Sequence, residues 1–199
     1  MEQVDDVLDY WFGGSPDNVR TPERQAQLWW GKNEDVDREI EEQFGTLLKE
    51  LVFGEHKEWL DKAEGRLAAI IVLDQFSRNM FRDTAMAFEQ DSLALQLCLE
   101  GIELEQDLEL FPVQRVFFYL PLEHSESMQM QNMMVSLMDK LVNLVEEPAK
   151  EIFGDFYQYA IAHRKVIERF GRYPHRNEIL GRESTPEELQ YLEEPGSGF

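Results

Sequence analysis

A single cysteine, Cys98, stands in the 199-residue chain, which excludes an intramolecular disulfide. Its neighbours, Leu95, Leu97 and Leu99, are apolar, the setting of an inert buried thiol rather than of a nucleophile. Basic residues are scarce: 19 Lys and Arg face 40 Asp and Glu, a net charge of -21. Such an acidic chain lacks the positive footprint that nucleic acids or anionic membranes require, so neither is an expected partner. No apolar run approaches the ~18 residues of a membrane span. The opening Met-Glu-Gln-Val-Asp-Asp lacks the basic start of a secretory signal, so the cytoplasm is the expected compartment. Strand-like alternation is nearly absent as well. Also missing are a Gly-x-Ser-x-Gly elbow, a phosphate loop, a Gly-x-Gly-x-x-Gly turn, Cys-x-x-Cys and His-Glu-x-x-His, so no cofactor and no local metal site are expected.

Helical periodicity is what remains. At 43% hydrophobic residues the chain can build a sizeable core. Helices are expected over Val4 to Phe12, after Thr21-Pro22 with Thr21 as N-cap, and over Asp35 to Val52 with Gly54 as stop. Further helices are expected over Arg66 to Arg78, from Asp91 as cap to about Leu104, and over Phe111 to Leu120 with a kink or end at Pro121. The last ones cover Ser127 to Val145, Lys150 to Phe170 with Gly171 as stop, and a segment opened by the Thr185…Glu188 capping box. Eight to ten helices with short loops and no Gly/Ser linker read as one all-α domain over residues 1–199, with residues 194–199 frayed. The helix spacing suits antiparallel pairs, although no full tetratricopeptide signature recurs.

Ionisable residues fall where apolar ones are expected. The stripe of Leu67, Ile70 and Ile71 leads to Asp74. Phe117 and Leu120 lead to His124, and Phe156, Tyr159 and Ala160 lead to His163. Burying such groups unpaired costs several kcal/mol, roughly, so they belong either to a structural hydrogen-bond network or to a polar pocket between helices. Asp74, Glu123, His124 and His163 are the candidates for acid–base chemistry, since a carboxylate fixes a histidine tautomer and raises its basicity. A two-histidine, carboxylate metal site from the same residues needs a convergence that the sequence does not show. Residues 163–182 hold six basic side chains against two acidic ones, a net +4. Arg172, Arg176 and Arg182 there are either internal ion-pair partners or receptors for an anion. Gln75, Arg78, Asn79, His175 and Asn177 complete the candidate ligand-binding set. Within it, Arg176 is expected to be free and pocket-facing and Arg172 structural.

Five segments then carry a resemblance. They are Val7-Leu8-Asp9-Tyr10-Trp11-Phe12-Gly13, Leu73-Asp74-Gln75-Phe76-Ser77-Arg78-Asn79-Met80-Phe81-Arg82, Tyr119-Leu120-Pro121-Leu122-Glu123-His124-Ser125-Glu126, His163 to Asn177, and Leu180 to Glu188. With these in order from about Val4 to Leu192, the chain resembles the bacterial family known as domain of unknown function 924. The resemblance implies an all-helical fold of antiparallel pairs packed like a right-handed tetratricopeptide superhelix, and no known activity. Three functional readings follow: a binding module for a small anionic ligand or acidic peptide in a central polar pocket, a hydrolase-like enzyme using His/carboxylate acid–base chemistry, or a helical scaffold with a purely structural polar core.

Overall fold

The computed structural model describes residues 2–198. Among them there is no strand, and the chain is built from α-helices joined by short turns. They are α1 (Glu2–Phe12), α2 (Arg20–Trp30), α3 (Glu34–Val52), α4 (Ala63–Ile71), α5 (Ser77–Met80), α6 (Asp91–Glu103), α7 (Pro112–His124), α8 (Met128–Leu144), α9 (Ala149–Phe170) and α10 (Pro186–Leu192). No helix is long and apolar enough to cross a membrane.

Helix α4 is the centre. Past Glu64 it has no solvent-facing stripe: residues 65–77 are buried without a break. The run Leu67 to Leu73 contains no polar side chain, and a helix apolar on every side must be covered on every side. Helices α1, α6 and α7 do this for α4, while α3 covers its continuation into α5. Gly65 admits the preceding turn, because a Cβ there would lie 2.2 Å from the Trp59 carbonyl oxygen. Aromatic rings fill the space between α1, α2 and α7: Trp11, Phe12 and Trp29 each pack against Phe117. Buried Arg66 ties α4 to the Leu60 and Leu97 carbonyls and to Gln106. Helices α7, α8 and α9 follow one another through short connections, each packed on the next.

Three local expectations are corrected. Helix α2 begins at Arg20, ahead of Thr21. The Asp17 carboxylate accepts from the Val19 and Arg20 amides, and Thr21 is buried with its hydroxyl accepting from the Asp17 amide. Asp91 is the first residue of α6, but it makes no capping bond, because two arginines take its carboxylate. Helix α7 does not end at Pro121 but continues to His124. Proline there removes an N–H, but residues 116–123 are all buried, and that packing offsets a penalty of about 3 kcal/mol. At the other end, the Ser197 hydroxyl donates to the Leu192 carbonyl, so the described part of the tail turns back on α10. Phe199, also placed in that tail, lies outside the described residues.

Candidate functional site

Between α4 and α5 the helix passes through a π-helical turn, Val72–Phe76. Such turns insert one residue into an α-helix and recur at functional sites. Asp74 sits on this one, fully buried. Its carboxylate accepts from three side chains: His124 Nδ1 at 2.7 Å, Arg78 Nη1 at 3.0 Å, and the Gln75 amide. Burial alone would push the Asp74 carboxyl up, but Arg78, His124 and Gln75 together hold it well below the usual carboxylate range.

His124 ends α7, at the far side of Pro121. Burial and the nearby Arg78 charge lower its pKa against the opposing pull of Asp74, which favours the neutral ring. A neutral ring carries one proton. The carboxylate can only accept, so that proton is on Nδ1 and Nε2 is the bare acceptor. No hydrogen bond to Nε2 occurs among the described residues.

A relay of charge leads from Asp74 to the surface. Arg78 also meets Asp91, with Nη2 3.1 Å from Oδ2 and Nη1 2.9 Å from Oδ1. Asp91 in turn faces Arg176, whose Nη1 lies 3.4 Å from Oδ2 and donates to the His124 carbonyl at 3.0 Å. The Arg176 guanidinium is held between two rings, 4.7 Å from the Phe88 centroid and 4.5 Å from that of Tyr173. Above it opens a cleft of about 290 Å³, lined by Phe88, Asp91, Ser92, Leu95, Pro121, His124, Ser125, Glu126, Arg176 and Leu180. His124 and Arg176 are thus neighbours in one cleft wall. A wider depression, about 440 Å³ beside Asp6, Asp9, Tyr10, Gln43 and Phe44, is lined by no basic group and by none of the predicted site residues.

Behind His124 lies a second buried layer. Glu123 is 6% exposed, and burial, with the Asp74 charge, pushes its carboxyl up to about 8. His163 Nδ1 is 3.6 Å from Glu123 Oε1, but it donates to the Tyr159 carbonyl at 2.9 Å. Burial brings His163 down to about 3, so at pH 7 the two groups face each other uncharged. The Tyr173 hydroxyl donates to the Glu123 carbonyl and accepts from Gln131. The four acid–base candidates therefore form two layers rather than one metal-like cluster. Elsewhere Glu50, Glu55 and His56 bring potential ligand atoms within 4.8 Å of one another, at the end of α3.

The arginines of the basic island divide. Arg182 grips Glu126 at 2.7 and 2.9 Å, and also bonds Asn177 and the Tyr173 carbonyl. Arg172 grips Glu188 at 2.6 and 2.7 Å and adds the Glu183 carbonyl. Asn177 holds Arg182 and Ser184. Asn79, with Arg82, takes Asp37 on the α3 side of the molecule. Arg172, Arg182, Asn177 and Asn79 thus all give donors to internal partners, which for Arg172 is the structural role expected of it. Gln75 and Arg78 lie beneath the cleft, on Asp74. His175 packs against Tyr173, with ring centroids 5.5 Å apart, and burial and Arg176 lower it to about 4. Arg176 does face the cleft, but it is not free as expected, since Nη1 is engaged. The cleft residues missed in the sequence are Phe88, Ser92, Ser125, Glu126 and above all Asp91, whose only signal is an acid ahead of an apolar helix. Replacing Arg182 by alanine is expected to cost roughly 1–3 kcal/mol in denaturant unfolding, because Glu126 and the Tyr173 carbonyl lose their donors together.

Comparison with known proteins agrees with this all-helical architecture. A family model described as bacterial protein of unknown function (DUF924) matches residues 7–196. The chain is similar to the solved structure of a protein of unknown function from Agrobacterium tumefaciens, at 35% identity and a TM-score of 0.81, over 96% of this chain and 97% of that one. No curated protein matches.

Proposed function

The chain belongs to the bacterial family of unknown function DUF924, and from that premise we propose that its cleft binds a small anionic ligand against Arg176. One observation carries the reading. The Arg176 guanidinium is 7% exposed, clamped between two rings in a cleft wall, and incompletely bonded. Its Nη1 is engaged, its Nε is buried without a partner, and Nη2 makes no hydrogen bond among the described residues. A purely structural arginine uses Nε and both terminal nitrogens, as buried Arg66 and Arg182 do. Burial and the adjacent Arg78 charge lower the Arg176 pKa, so an incoming anion relieves both penalties.

The chain's net charge of -21 does not preclude this. Carboxylates beyond about 8 Å are largely screened at physiological salt, and the groups nearest the anion decide. Asp91, the closest of them, is shared with Arg78 and touches Arg176 only at 3.4 Å. A volume of about 290 Å³ suits a small molecule better than a peptide segment. The flanks, Phe88, Leu95, Pro121 and Leu180, offer apolar contact, and Ser92 and Ser125 offer hydroxyls.

A thermal-shift series with inorganic phosphate, sulfate and short mono- and dicarboxylates tests this. An anion present at ~100 times its dissociation constant stabilises by about 2.7 kcal/mol, and Arg176→Gln is expected to abolish the shift. A series in which no anion raises the midpoint of the wild-type protein contradicts the proposal.

A further inference from the structure

We infer that His124 is a proton acceptor toward the bound ligand, with Nε2 the reacting atom and Asp74 the residue that positions it. The inference rests on the anion-binding reading for the ligand's placement, but not for the chemistry of the imidazole. Four observations converge. His124 Nδ1 is bonded at 2.7 Å to a carboxylate that is itself wholly buried. That bond fixes the tautomer and leaves the Nε2 lone pair bare. The side chain lines the same cleft as Arg176, and the Arg176 guanidinium is tied to the His124 carbonyl at 3.0 Å, so the anion receptor is anchored to the residue that carries the ring. The carboxylate stands on a π-helical turn in the middle of the most deeply buried helix, a costly place for a charge serving only to anchor a ring.

The arrangement resembles neither ion pair nor simple core hydrogen bond. Arg78 already gives Asp74 a counter-ion, and Gln75 gives it a further donor. His124 adds a third donor while keeping its other nitrogen turned away from Asp74. In the step inferred, the Nε2 lone pair forms a bond to the proton of a ligand O–H. The O–H bonding pair stays on oxygen, and the imidazolium charge is balanced by Asp74. Imidazole basicity suits an O–H proton rather than an unactivated C–H. The substrate class is therefore a small anion bearing a hydroxyl, its anionic group on Arg176 and its hydroxyl toward His124. Asp74 touches no ligand and acts through the ring.

The lone pair that takes a proton also attacks an alkyl halide, which gives a test that needs no substrate. Iodoacetate and iodoacetamide have the same electrophilic carbon, and only the former carries an anion. In either reaction a Nε2–CH₂ bond forms, the C–I bond breaks and iodide leaves with the bonding pair. At neutral pH, peptide mapping is expected to locate alkylation of His124 on Nε2. Iodoacetate is expected to react about tenfold faster than iodoacetamide, because Arg176 holds it against the ring. Arg176→Gln should remove that preference. Alkylation of Nε2 at equal rates by both reagents supports the proton acceptor and overturns the anion reading. No modification of His124 by either reagent, or modification on Nδ1, overturns the inference. For Asp74 the readout is the site of alkylation: Asp74→Asn should spread it over both nitrogens. Unchanged Nε2 selectivity in that variant removes the positioning role, and where the variant does not fold, the wild-type selectivity decides alone.

Discussion

Replacing Asp74 by alanine is expected to cost about 3–5 kcal/mol of stability, read from the denaturant midpoint at neutral pH. The figure comes from what the truncation leaves behind. Arg78 loses one of its two counter-ions, the His124 Nδ1–H loses its acceptor, and the Gln75 amide loses its bond, all around a fully buried position. A largely buried cation left with Asp91 alone, together with two stranded donors, falls among the few mechanisms that give losses this large. The same carboxylate gives a pH dependence of known sign. Its folded pKa lies below its ordinary value of 3.8, so the stability it contributes is present above that value and is lost as pH falls further. A loss below about 1 kcal/mol in Asp74→Ala would mean that the Asp74–His124–Arg78 contacts do not hold the site together.

Glu123→Gln is expected to do the opposite and stabilise the protein at alkaline pH. Glu123 has its folded pKa raised from 4.5 to about 8 by burial and by Asp74. Its contribution is therefore fully present below pH 4.5 and is lost as pH rises through about 8. Glutamine keeps the shape of the protonated acid and cannot ionise. The variant should match the wild type near pH 5 and exceed it above pH 8 by more than ~1 kcal/mol. His163, brought from 6.5 down to about 3, works the other way: its contribution is present above 6.5 and is lost as pH falls toward 3. Together these two groups favour a stability maximum between about pH 4.5 and 6.5. Urea unfolding of both proteins across this range checks it, and parallel curves for wild type and variant contradict it.

Much of this arrangement is legible in the sequence, though not always for the right reason. Asp74 stands out there as an acid on an apolar stripe. In the fold, α4 has no exposed face past Glu64, so Asp74 is buried because the whole segment is, and the π-helical turn that holds it leaves no mark in residue type. The same periodicity reaches His124, and it survives because α7 runs through Pro121. Asp91 is hidden by the commonest role of an acid at a helix start. Its true partners, Arg78 and Arg176, are 13 and 85 residues away, and only tertiary packing brings them together. The same limit leaves the basic island undivided. Whether Arg172, Arg176 and Arg182 serve a ligand or the fold depends on Glu188, Asp91, Glu126 and the turns that present them. Spacing along the chain carries no such information beyond one element.

The central claim is that an anion bound at Arg176 lies beside a bare His124 Nε2. The nitrogen spectrum of the ¹⁵N-labelled imidazole, recorded while inorganic phosphate is titrated in, tests it most directly. The account predicts a Nδ1–H tautomer with unprotonated Nε2 in the free protein, a saturable change at Nε2 as phosphate is added, and loss of that change in Arg176→Gln. A His124 ring protonated on Nε2 in the free protein, or a spectrum that phosphate leaves unmoved, would contradict it.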